Sequence, residues 1–172
     1  MDALQAIFSR VSTRDFNDKP VPDDKLEVIL KAGQSAPVGM GRYDDKLLTV
    51  VTDKEWLKAV SRLVPDRNGM DTPFYGAGTV IILSSLLSDA PAIEFADAGA
   101  IITTMAIAAE AEEVKSIYLW GFIKVIRSEP ELLKKLALPD GYVPVSALAI
   151  GYSDTQTPVL TEPRHKIKVS KI

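Results

Sequence analysis

The sequence predicts a single domain of the α+β or mixed α/β class, on three observations. Apolar residues recur at helical spacing in some segments and run together in others, and the two kinds interleave. The apolar runs at 46–52, 79–85 and 143–152 are bounded by turn residues, as buried strands are. No low-complexity segment, internal repeat or long linker divides the 172 residues. The pattern does not fix the order of the strands.

The elements follow in chain order. Leu4, Ile7 and Phe8 keep helical spacing, so residues 2–9 read as a short helix. The polar segment RVSTRDFNDKPVP, 10–22, carries two prolines and reads as a loop. Asp23 or Asp24 then caps a helix over 23–34, with Leu26, Ile29 and Leu30 as its apolar stripe. SAPVGMGRYDD, 35–45, is a second loop, and KLLTVVT, 46–52, a buried strand. Asp53 caps a helix that sets Trp56, Leu57 and Val60 on one face. Residues 65–77 form a loop and TVIILSS, 79–85, a strand. A long helix covers roughly 92–113, and VKSIYLW, 114–120, is strand-like up to Gly121. Ser128 opens SEPE, a capping-box pattern that starts a helix at 129–137. VPVSALAIGY, 143–152, is the last core strand, and a polar tail with Pro158 and Pro163 follows.

Composition removes several classes of function. The chain is 47% hydrophobic and 25% charged, enough to build a core with no metal or disulfide staple. It has no cysteine, which excludes a disulfide framework, a zinc–thiolate or iron–sulfur site and a thiol nucleophile. A net charge of −3 without a basic stripe argues against a nucleic-acid partner. MDALQAIFSR has an acid at position 2 and no long apolar run, so it does not read as a signal peptide. Ala98–Ala109 is the most apolar stretch, well short of the ~20 residues of a membrane helix. It reads as a buried core helix bounded by Asp97 and Glu110, and no membrane is expected as a partner.

Four constellations can carry chemistry. Arg10, Ser12 and Arg14 place two guanidinium forks and a hydroxyl within five residues, a set that suits one phosphate. The same spacing also fits a plain surface loop. Ala36-Pro37-Val38-Gly39-Met40-Gly41 lacks the pattern of a Walker or dinucleotide loop, and its glycines permit close approach of backbone to a ligand. It equally fits a simple helix-to-strand connection. Tyr118, Trp120, Gly121 and Phe122 can line a flat ligand or belong to the core. Arg164, His165 and Lys166 form a short basic run in the tail. His165 is the one histidine, with no triad partners in sequence, and no group of side chains has metal-ligand spacing.

Taken in order, these motifs resemble the FMN-dependent nitroreductase family. The series is the Arg10-x-Ser12-x-Arg14-x-Phe16 loop, the Ala36-Pro37 loop, Phe74-Tyr75 before a strand, Asp97-Ala98 in a long alanine-rich helix, Gly121-Phe122, and Pro144 to Tyr152. The resemblance implies an α+β fold, a central mixed sheet flanked by helices in an intertwined homodimer. FMN would lie at the subunit interface. Carried over by position, Arg10, Ser12 and Arg14 would hold its phosphate together with Arg164 and Lys166. Pro37, Val38, Gly39 and Met40 would reach the flavin from the other subunit, and backbone at Trp120 and Gly121 would lie by the reactive ring nitrogen.

The implied activity is transfer of hydride from NADH or NADPH, through the flavin, to a small acceptor such as a nitroaromatic or quinone. No catalytic side chain is then required, and the setting would be cytoplasmic. The chain departs from the family on the acceptor side. Gly41-Arg42-Tyr43-Asp44 stands where members often carry Asn and Gln-Pro-Trp, and Glu113 to Ile117 replaces Gly-Leu-Gly-Ser-Cys. The asparagine usual in the long helix is Thr103 or Thr104, and the chain is short for the family. Two alternatives therefore stand beside the reductase: a non-catalytic flavin-binding protein for storage or redox sensing, and a specialised member that destroys flavin or dehalogenates reductively.

Overall fold

The structure is a computed structural model and describes residues 2–64, 72–88, 92–165 and 167–172. In chain order the helices are α1 (Ala3–Ser9), α2 (Asp23–Gln34), α3 (Lys54–Leu63), α4 (Ile93–Ala111), α5 (Ile123–Arg127) and α6 (Pro130–Lys135). The strands are β1 (Lys46–Val51), β2 (Thr79–Leu86), β3 (Lys115–Leu119) and β4 (Tyr142–Gly151). Most of the 65–77 loop expected from sequence, together with Lys166, lies outside the described residues.

The four strands form one sheet in the order β1-β2-β4-β3, each neighbour antiparallel. The α+β class with a helix-flanked central sheet holds. Its mixed character rests on one parallel bridge, Ser12 to Ser116, beside β3.

The central strands β2 and β4 are buried on both faces, which is why they read as continuous apolar runs. Val80, Ile82, Ala147 and Ala149 pack with Trp56, Phe74, Phe122 and Ile126. Ile81, Leu83, Leu148 and Ile150 pack with Ile29 of α2 and with Ala98, Ile102 and Met105 of α4. The molecule is thus three layers: α2 and α4, the sheet, then α3, α5 and α6. No described helix is long and apolar enough to cross a membrane.

Two caps differ from the sequence reading. Pro22, not Asp23 or Asp24, precedes α2, and the two aspartates sit in its first turn, favourable there to the helix dipole. Ser128 does not cap α6: its hydroxyl donates to the Val125 carbonyl at 2.8 Å, closing α5, and Glu129 stands at the α6 cap without a side-chain bond.

Candidate functional site

The segment after α1 is held at the edge of the sheet. Asp2 caps α1 through the Gln5 N–H at 2.8 Å, and the Arg10 N–H closes the last turn on the Ala6 carbonyl at 3.0 Å. The chain then runs extended beside β3, where the Thr13 N–H donates to the Ser116 carbonyl at 3.0 Å. Phe16 is buried, and its N–H donates to the Tyr75 carbonyl at 3.0 Å. With Thr13 and Phe16 turned inward, Ser12 and Arg14 face outward. The Arg14 guanidinium lies 5.8 Å from the centre of the Tyr75 ring and donates to the Ser12 carbonyl at 3.3 Å. The Thr13 and Phe16 bonds hold the loop backbone on both sides of Arg14.

The tail returns along the same edge. The Asn17 amide donates to Asp154 at 2.9 Å, Thr155 bonds Asp15, Lys115 donates to Thr157 at 2.8 Å, and the Leu160 N–H donates to the buried Ser9 hydroxyl at 2.8 Å. This path carries Arg164 to the loop. Arg10, Ser12, Arg14, Arg164 and His165 line one open cleft of about 620 Å³, with Ile7, Phe8, Val11 and Pro163 as its remaining wall. Among the described residues, no carboxylate lines it. Three guanidinium groups and a hydroxyl with no acid among them make a donor set for an anion. His165 was not among the site residues expected from sequence, although its place beside Arg164 was the available signal.

The other expected residues sit elsewhere in the subunit. Pro37 and Met40 are exposed, and Val38 lines a separate cavity of about 410 Å³ with Tyr43 and Lys46. The loop is fastened from beneath. The Gly39 N–H donates to Asp97 Oδ1 at 2.8 Å, and Asp97 Oδ2 lies 3.1 Å from Lys46 Nζ, an ion pair without an aligned hydrogen bond. Lys46 Nζ also donates to the Ser85 hydroxyl at 3.2 Å. Both charged side chains are under 10% exposed, at 9% and 6%. A Cβ on Gly39 would stand 2.7 Å from Ile93 Cδ1, so the loop backbone lies against α4. Sequence reasoning missed this pair; its signals were an acid inside an apolar helix and a lysine at the head of a buried strand. Trp120 and Gly121 line a third cleft, of about 450 Å³. One subunit therefore brings the arginine cluster and Arg164 together and leaves the Pro37–Met40 loop and Trp120-Gly121 apart from them.

Comparison with known proteins follows the same lines. The sequence model of the nitroreductase family matches residues 7–68, the span from the arginine loop through β1 and α3. A protein of Archaeoglobus fulgidus, provisionally named NADH dehydrogenase/NAD(P)H nitroreductase, is 28% identical over 152 residues, 88% of this chain and 85% of its own. An FMN reductase (NAD(P)H) of Bacillus subtilis is 26% identical over 170 residues, 88% of this chain and 66% of its own. A nitroreductase with bound FMN from Desulfitobacterium hafniense superposes with a TM-score of 0.80 at 24% identity, over 99% of this chain and 100% of that one. A Bacteroides fragilis nitroreductase with bound FMN gives 0.79 at 23% identity, over 99% and 100%. This chain is therefore short beside the B. subtilis reductase and equal in span to the two structures. The chain is thus similar to the nitroreductase family in sequence pattern over residues 7–68, and it shares the fold of the two nitroreductase structures over nearly its whole length.

Proposed function

We propose that the protein is an FMN-dependent oxidoreductase that takes hydride from NADH or NADPH and delivers it to a small acceptor such as a nitroaromatic or quinone. The observation that carries this reading is the convergence of Arg10, Ser12, Arg14 and Arg164 on one acid-free cleft. The donor set fits a phosphate monoester: guanidinium forks match phosphate oxygens in pairs, and the hydroxyl adds a further donor. The names of the A. fulgidus and B. subtilis relatives and the FMN in the D. hafniense structure support the same assignment.

In this reading Arg10, Ser12, Arg14 and Arg164 hold the FMN phosphate, with Lys166 as a further cation. Pro37, Val38, Gly39 and Met40 contact the flavin from a second copy of the chain, and backbone at Trp120 and Gly121 lies by the ring. Bound flavin supplies the electron-transfer chemistry. The chain binds and orients it, and its cations and N–H groups offset the negative charge that reduction brings. The homodimer and a cytoplasmic setting belong to the same proposal.

The test is Arg10→Ala combined with Arg14→Ala. Loss of the charge-assisted contacts should weaken FMN binding by at least about a hundredfold, read as flavin absorbance per protein after desalting. A double variant that keeps full flavin content would remove the phosphate site from this cleft.

A further inference from the structure

The cleft beside β3 has a character that the phosphate site does not share. It is lined by Phe95, Trp120, Gly121, Ile123, Lys124, Arg127 and Ser128, and holds about 450 Å³. Trp120 is 63% exposed and Phe95 is 43% exposed, large areas of aromatic surface to leave in water. Their rings stand edge to face, 6.3 Å between centres at 82°. Two rings at right angles make a corner: a flat molecule can stack on one face and meet the edge of the other.

Cations border that corner. Lys124 and Arg127 are three residues apart on α5, on one side of the helix. Among the described residues neither is in ion-pair contact with a carboxylate. Arg127 is also fixed in place. Its Nε donates to the Pro144 carbonyl at 2.6 Å, leaving the two terminal nitrogens of the fork as donors.

We infer that this cleft is an acceptor subsite for a planar aromatic molecule bearing an anionic group, such as an aromatic carboxylate: the ring stacks at Phe95 and Trp120, and the anion meets Lys124 and Arg127. The inference rests on the reductase reading, because Trp120 and Gly121 are the residues assigned there to the flavin ring. A site built only for neutral quinones or nitroarenes would have no use for two cations at its edge.

The probe is 4-nitrobenzoate, with its methyl ester as the neutral twin. Lys124→Glu reverses an exposed charge and leaves the Arg127–Pro144 bond intact. In NAD(P)H oxidation by the flavin-loaded protein, it should raise KM for 4-nitrobenzoate about tenfold or more, with kcat and the ester's KM within about twofold. Equal loss with both acceptors, or no change with either, would overturn the subsite. If NAD(P)H oxidation is absent altogether, the reductase reading fails and calorimetric titration of the same protein decides the subsite. Binding of 4-nitrobenzoate that Lys124→Glu weakens about tenfold supports it, and absence of binding overturns it.

Discussion

Asp97 is a carboxylate set among apolar side chains, and it serves two partners at once, the Gly39 N–H and the Lys46 ammonium. Removing one member of a buried ion pair leaves the other charge without compensation, at a cost of about 3–5 kcal/mol. Asp97→Ala should lose that much in urea unfolding, while Asp97→Asn, which can still accept from Gly39, should lose less. An Asp97→Ala variant as stable as the parent would contradict the burial described. Glu94 gives a pH prediction. Hydrogen bonds from the Ser88 hydroxyl and backbone N–H, with Lys46 nearby, hold its carboxyl below the ordinary value of 4.5 despite burial. A depressed folded value adds stability above 4.5, and that stability drains as pH falls through the lower folded value. Glu94→Gln should therefore flatten the acid limb of the stability–pH curve below 4.5; an unchanged limb would refute the assignment. At this scale the sequence was partly legible. Arg10, Ser12 and Arg14 are close in the chain, so their lining of one cleft was among the readings the spacing allowed, beside a plain surface loop. Arg164 could not be placed that way, because its position depends on tail contacts with Ser9, Asp15 and Asn17 made across some 140 residues.

The element that positions the cluster is the extended segment from Arg10 to Phe16, and its far end rests on the turn at Tyr75-Gly76. Gly76 has φ of +88°, and a Cβ there would stand 2.7 Å from the Phe16 carbonyl oxygen. That oxygen is backbone and cannot swing aside. Gly76→Ala should cost about 1–3 kcal/mol from the backbone conformation alone, push Phe16 out of its contact, and lower flavin occupancy. A variant with full occupancy would show that the turn does not set the arginine loop. Long elements were legible: α2 carries enough turns for the helical period to declare itself, and β2 is a long enough apolar run to read as a buried strand. The five residues of α5 are too few for that, and Ile123, Val125 and Ile126 are β-branched, so nothing in IKVIR announces a helix. That helix carries both cations of the proposed acceptor subsite.

For the whole molecule, one feature of a single chain asks for a second copy. On α4 the buried stripe of Ala98, Ile101, Ile102, Met105 and Ala109 meets the sheet and α2. The opposite stripe, with Ala96, Gly99, Ala100, Thr103 and Ile107, is small or apolar and only partly covered. A helix apolar all round is a helix buried all round. The homodimer proposed above predicts twice the chain mass by light scattering. Thr103→Lys, which sets a charge on the open stripe, should shift the protein toward monomer without unfolding it; a native chain that is already monomeric would defeat the dimer. The three layers were legible in outline from the alternation of element types. The strand order was not, because β1, β2, β4 and β3 pair through contacts that no local period encodes. In the proposed function, the cleft of Arg10, Ser12, Arg14 and Arg164 holds the FMN phosphate. The most direct test is the visible spectrum of the purified protein, followed by release and identification of the bound cofactor. An oxidised-flavin spectrum is expected, with the monophosphate, FMN, on release. A colourless protein that stays colourless after incubation with excess FMN and desalting would contradict it.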